Sequence, residues 1–200
     1  MSDTEQGMDS GDADVWEAAR AGDADAFAAV FDRHVDRVHR HAGRFTRSRE
    51  DAEDVTAMVF LEAWRLRSRV RVVNGSVIGW LLVTATNIAR NSARTRMRHD
   101  RLLRRLRPEV VPDHAEEVLD AETRSHRRGE VEAAFARLSA SDQEILALCV
   151  IEEVAPVDAA RLLRLPAGTV RTRLSRAKER LRVAMTELVP DTRAGGKEAT

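Results

Sequence analysis

Residues 165–178 read Leu-Pro-Ala-Gly-Thr-Val-Arg-Thr-Arg-Leu-Ser-Arg-Ala-Lys, and this run limits what the chain can become more than any other. At about 100° per residue, Val170, Leu174, Ala177 and Leu181 fall on one narrow stripe of a helix. Thr172, Ser175 and Arg176 point the opposite way, and Arg171, Arg173, Lys178 and Arg180 line the flanks. The apolar stripe can anchor such a helix. Its flanking cations suit phosphates, and its outer residues are the kind that reach base edges. The same pattern describes a solvated amphipathic helix, so the neighbouring segments have to decide.

Upstream, Val157, Ala160, Arg161 and Leu163 fit a short helix opened by Pro156, because proline is tolerated at the first helical position. Arg164-Leu165-Pro166-Ala167 then makes a tight turn. A short helix, a brief turn and a longer basic helix form a helix-turn-helix pattern. Earlier still, Ser141 is expected to N-cap a helix with Glu144 three residues on, opening an apolar run of Ile145, Leu146, Leu148 and Cys149. Residues from about 128 to 186 therefore read as a compact helical DNA-binding module.

From Leu138 to Leu181 the chain resembles the C-terminal promoter-binding domain of bacterial sigma factors, in particular the short extracytoplasmic-function (ECF) group. Pro166-Ala167-Gly168-Thr169-Val170, followed by Arg171, Arg173, Leu174, Arg176 and Ala177, carries the likeness. The resemblance implies that Thr169, Arg171, Thr172, Arg173, Ser175, Arg176 and Lys178 contact the −35 element.

The N-terminal half extends it. Asp51-Ala52-Glu53-Asp54-Val55 leads into Val59-Phe60-Leu61-Glu62-Ala63-Trp64-Arg65. Ala52, Val55, Val59, Ala63 and Leu66 share one helical face, while Ala57, Phe60, Leu61 and Trp64 share a nearly opposite one. A helix apolar on two sides is buried on two sides, within a bundle or between a bundle and a partner. The segment is similar to the sigma-factor helix that grips the clamp helices of RNA polymerase. That likeness makes Asp51, Asp54, Phe60, Leu61 and Trp64 candidates for core-enzyme binding or for packing beneath it. Ala57 and Met58 stand where the family usually carries glutamine and an acidic residue.

Gly79-Trp80-Leu81-Leu82 and Ile88-Ala89-Arg90-Asn91 resemble the family's −10 and melting segment. Leu81, Thr84, Ala85 and Ile88 make a core face. Asn87, Arg90, Arg94, Arg98 and Arg101 fall within a sector about 80° wide on another face, a plausible phosphate track. The preceding loop, with Asn74 and Ser76, is where the resemblance implies capture of an unstacked −10 base. Thr95 replaces the family's common acidic residue after the Arg-Asn pair.

The expected fold is all-α: two small helical domains, a sigma region 2-like bundle and a sigma region 4-like helix-turn-helix, joined by a linker. The expected boundaries are a disordered acidic N-terminus over 1–12, the first domain over 13–107, the linker over 108–127, the second domain over 128–187 and a flexible tail over 188–200. The 200 residues suit two such domains. The linker leaves no room for the middle domain of larger sigma factors.

Lys+Arg and Asp+Glu are equal at 33 each, so net charge does not announce a nucleic-acid binder. The charges are segregated instead, with cations gathered at 90–107 and 171–182 and acids at 3–14 and 113–122. Weak DNA binding by the free chain is the expectation, with strong binding only alongside polymerase. The start of the chain lacks a basic segment and an apolar run, which argues against a signal peptide, and no apolar stretch approaches a membrane span. Cys149 is the only cysteine, which excludes an intramolecular disulfide. His34, His39 and His41 lack partners spaced for a metal, and no phosphate loop or nucleophile motif points to an enzyme. No cofactor and no small-molecule substrate are expected.

The expected function is therefore a cytoplasmic sigma factor whose partners are core RNA polymerase, promoter DNA and an anti-sigma factor, with no direct membrane insertion. The alternative is a stand-alone helix-turn-helix regulator that binds DNA without polymerase. Two local departures bear on stability. Arg164 stands where the family commonly has glycine, and if the turn requires a left-handed residue there, arginine costs on the order of 1 kcal/mol. Ala155 replaces a hydroxyl N-cap, with Pro156 preorganising the first turn.

Overall fold

The computed structural model describes residues 11–106 and 124–188. They form two helical bundles. The first holds α1 (Asp12–Ala21), α2 (Ala24–Gly43), α3 (Arg49–Arg65) and α4 (Ile78–Leu106). The second holds α5 (Arg124–Ala136), α6 (Ala140–Leu146), α7 (Pro156–Leu163) and α8 (Ala167–Leu188), with a π-helical turn over Ala147–Ile151 between α6 and α7. Residues 108–123 of the expected linker lie outside the described residues, while 124–127, also expected to be linker, belong to α5; most of the expected N-terminal segment and C-terminal tail lie outside the described residues too.

Polar side chains set the breaks between helices. Gly22 ends α1 in the left-handed region at φ 107°, and Asp23 N-caps α2 by accepting from the backbone N–H of Asp25 and Ala26. Ser48 caps α3 through the Asp51 N–H at 3.1 Å. Between α3 and α4, Val73 and Ser76 exchange backbone hydrogen bonds across Asn74-Gly75. Both central residues have positive φ, 53° and 76°, the signature of a type I′ turn and the reason for an Asn-Gly pair there.

The helix expected to start at Ser141 starts earlier. Ser139 is the N-cap, extended at ψ 149° and accepting from the Asp142 N–H, while Ser141 lies in the first turn. Two Ser-x-x-acid pairs overlap here, and the upstream pair sets the boundary. Asp12 is a second correction. Counted with the acidic N-terminal segment, it is in fact the first residue of α1 and fully buried.

The first core gathers Trp16, Val30, Val38, Val55, Val59, Phe60, Leu81 and Leu82. The second gathers Ile145, Leu146, Ala159, Ala160, Val170 and Ala177, so the apolar stripe read in α8 does face inward. Leu148 belongs to the first core although it lies in the second bundle, and Cys149 and Leu163 pack against both. The π-turn contributes by bonding Glu152 N–H to Ala147 O, one residue wider than an α-helical bond. Gly79 of α4 completes the junction, because a Cβ there would lie 2.5 Å from Leu162 Cδ1 of α7. Phe45 and Phe135 meet edge-on across it with centroids 6.2 Å apart, and Arg71 donates to Arg161 O at 2.7 Å.

Candidate nucleic-acid and partner interfaces

On α8, Thr169, Arg171, Thr172, Ser175, Arg176 and Lys178 are exposed and Arg173 is half-buried. Gly168, Thr169, Thr172, Arg173 and Arg176 border one shallow depression, with Ser141 of α6 on its far wall. All seven residues expected at the −35 element thus sit on one helix whose opposite face is core. Arg180, read from sequence as a fourth flanking cation, donates to Asp142 Oδ2 at 2.6 Å and ties α8 to α6. At the turn between α7 and α8, Arg164 is left-handed at φ 56°, ψ 41°, and Ala155 caps α7 without a side-chain bond.

The arginine stripe of α4 divides. Asn87, Arg94, Arg98 and Arg101 are exposed. Arg90 instead turns toward the second bundle. It pairs with Glu144 at 3.1 Å, donates to Ala140 O, and lies over the Phe45 ring at 5.7 Å. Periodicity placed Arg90 on the right side of α4 but could not show that a second bundle occupies that turn. Arg96, not singled out from sequence, bridges α4 to Asp51 on α3.

Asn74 is exposed at the tip of the type I′ turn, and Ser76 is not. The Ser76 hydroxyl donates to Asp12 Oδ2 at 2.6 Å and accepts from the Ile78 N–H at 3.2 Å. Its bonds are committed inside the protein, which removes Ser76 from the residues able to meet a base directly.

On α3, Asp54 is exposed, Met58 is 50% exposed and Leu61 is 67% exposed, the last two one turn apart. Asp51 is engaged by Arg96, whose guanidinium holds its carboxyl below the usual carboxylate range. Phe60 is buried, stacked edge-on against Phe27 and Phe31, and Trp64 is half-buried with its ring 5.0 Å from that of Phe27. Arg67 covers the Trp64 ring at 4.8 Å. The solvent-facing surface of α3 therefore includes Asp54, Met58 and Leu61, with Phe60 and Trp64 supporting it from beneath.

Two buried carboxylates organise the rest, and sequence reasoning missed both. Asp12 accepts from Ser76 Oγ, the Val77 N–H at 3.1 Å, His34 Nε2 at 2.9 Å and Arg33 at 3.0 Å. Burial alone would raise its pKa; the bonds from His34 and Ser76 outweigh that and bring it to about 2. Glu152, which follows the π-turn, reaches α2 of the other bundle. It accepts from Arg37 Nε at 2.9 Å, Arg44 at 2.8 Å and His41 Nδ1 at 3.3 Å. Burial again opposes ionisation, and His41 and Arg37 overcome it to leave the carboxyl at about 2. Thr86 meets His41 Nε2 at 2.9 Å and so turns Nδ1 toward Glu152. Among the described residues no group of three or more His, Cys, Asp or Glu is placed to hold a metal ion. Nor is any described helix long and apolar enough to cross a membrane.

Two helical modules, one presenting a basic recognition helix and one an exposed apolar face beside a basic helix, define the class. The Sigma-70 region 2 family matches residues 30–99, and the Sigma-70 region 4 family matches residues 128–181. The RNA polymerase sigma factor CarQ of Myxococcus xanthus is 30% identical over 173 residues, spanning 86% of this chain and 96% of that protein. The ECF sigma factor SigM of Mycobacterium tuberculosis is 28% identical over 170 residues, 85% of this chain and 82% of that protein. The ECF sigma factor SigE of Mycolicibacterium smegmatis is 29% identical over 156 residues, 74% of this chain, which spans 57% of that longer relative. Among solved structures, CnrH in complex with the cytosolic domain of CnrY superposes with a TM-score of 0.63 at 21% identity, covering 88% of this chain and 97% of that one. RpoE of Bartonella quintana, solved with the anti-sigma factor NepR, gives 0.59 at 21% identity over 80% of this chain and 96% of that one. The chain belongs to the sigma-70 family of RNA polymerase sigma factors, in its ECF group.

Proposed function

We propose that this chain binds core RNA polymerase and directs promoter-specific initiation, with α3 facing polymerase, α4 and the Asn74-Gly75 turn facing the −10 region, and α8 facing the −35 element. The observation that carries this reading is the exposure of two large apolar side chains, Met58 and Leu61, on a helix whose opposite face (Ala52, Val55, Val59, Ala63) is buried in the core, on the same chain as a basic recognition helix. A stand-alone regulator has no need of both. Arginines 94, 98 and 101 supply the phosphate track, and Asn74 at the turn supplies the amide that meets a base edge. A cytoplasmic location goes with this reading, because RNA polymerase acts there.

An anti-sigma factor is the expected inhibitor. CnrH and RpoE are both recorded in complexes, the latter with an anti-sigma factor. The exposed α3 face gives such a partner the surface it would have to mask. Co-migration of the purified chain with sigma-free core polymerase on a native gel tests the reading. Wild type should shift the core band, and Asp54→Arg combined with Leu61→Arg should not. A folded wild type that fails to bind core would sink it and favour the independent regulator.

A further inference from the structure

The Asn74-Gly75 turn is held from outside itself. Its own reciprocal bonds between Val73 and Ser76 shape a two-residue loop, but do not fix how that loop sits on the bundle. That task falls to Asp12. One oxygen, Oδ2, takes both the Ser76 hydroxyl and the Val77 N–H, the residues that lead from the turn into α4. The other, Oδ1, takes Arg33 from α2, and His34 from the same helix lies between the two oxygens, 3.0 Å from Oδ1 and 2.9 Å from Oδ2. Four donors on two segments, α2 and the stretch leading into α4, converge on one carboxylate with no exposed side-chain surface.

We infer that Asp12 is a positioning residue for recognition of the −10 element, presetting the Asn74-Gly75 turn through Ser76 so that the extruded base meets a rigid acceptor site. This rests on the reading that the turn captures a −10 base. Capturing an unstacked base already requires unpairing it. A loop that also had to be ordered at that moment would discriminate bases poorly, since geometry must be held within a fraction of an ångström for selective hydrogen bonding. Asp12 touches no DNA. It acts through Ser76, which is why Ser76 is buried while its neighbour Asn74 is exposed.

The test uses holoenzyme assembled from core polymerase and the full chain. Four fluorescent single-stranded −10 oligonucleotides are compared, differing at the base where wild type discriminates most. Asp12→Asn and Ser76→Ala should each lower the ratio of best to worst base about tenfold, with core binding unchanged. Ser76→Thr, which keeps the hydroxyl, should restore the ratio. A merely structural defect would weaken all four oligonucleotides alike and leave the ratio intact. Asn74→Ala is the control for the underlying reading, and it too should lower the ratio. An unchanged ratio in Asp12→Asn and Ser76→Ala, beside a lowered one in Asn74→Ala, overturns the positioning role alone. An unchanged ratio in all three overturns both it and capture by the turn. Should Asp12→Asn fail to fold, Ser76→Ala, which deletes one hydroxyl, decides the matter by itself.

Discussion

Replacing Glu152 by glutamine should weaken the docking of the two bundles. Every donor named for this carboxylate comes from across the junction, Arg37 and His41 from α2 and Arg44 from its C-cap. The drop of its pKa from 4.5 to about 2 is therefore energy that exists only when the bundles are docked. At about 1.4 kcal/mol per unit this is about 3 kcal/mol. Arg37 and Arg44 keep 37% and 29% of their side-chain surface in water, so screening lowers the figure to about 2 kcal/mol. The docking equilibrium should then shift by roughly thirtyfold toward separation. Cys149 supplies the assay, being the only cysteine and packed against both cores. Burial raises its thiol pKa and slows reaction with a disulfide reagent. Glu152→Gln should accelerate that reaction about thirtyfold, with a matching increase in radius by small-angle scattering and unchanged helix content. If the thiol rate and the radius both stay at wild-type values, Glu152 does not hold the junction.

Other outcomes follow from the same structure. Arg164→Gly should raise thermal stability by about 1 kcal/mol, a few degrees in melting temperature, because φ 56° costs a glycine nothing. Asp12 and Glu152 both have depressed pKa values of about 2, so the stability they give is complete above their unfolded values, 3.8 and 4.5. It should fade as pH falls toward 2, which an acid titration followed by circular dichroism would show. Arg173→Glu with Arg176→Glu should abolish −35-dependent transcription while native-gel binding to core persists; loss of core binding would mean α8 serves a different partner. The free wild-type chain should bind promoter duplex weakly in a gel shift, since Arg90 is already paired with Glu144.

Much of this architecture is legible in the amino-acid sequence where periodicity decides. Val170 and Ala177 are fully buried and Thr172 and Ser175 face out, as their spacing on α8 predicts. Periodicity tells which face is covered, not what covers it. Phe60 and Leu61 look equivalent as adjacent apolar residues, yet one is 4% exposed and the other 67%, because α2 brings Phe27 and Phe31 only to the former. Asp12 was hidden among other acids near the start of the chain, and its partner Ser76 lies 64 residues away. Glu152 was hidden more deeply, since its three donors lie 108 to 115 residues upstream in the other bundle. Long-range polar pairs leave no local pattern. Turn chemistry does, and the Asn74-Gly75 pair marks its own type I′ geometry once it is read as a turn rather than as a polar loop.

The mixed make-up of the junction bears on its reversibility. A purely apolar seam would expose a sticky surface each time the bundles separated, and separated molecules would aggregate through it. Here Glu152, Arg37 and Arg44 lie at the seam beside Leu148 and Leu162. On separation these ions rehydrate, and their solvation offsets part of the loss of contact. Each half also carries its own core, so neither has to unfold when the other leaves. A seam built this way should separate and re-dock without aggregation, so repeated dilution and concentration of the chain would leave it monomeric.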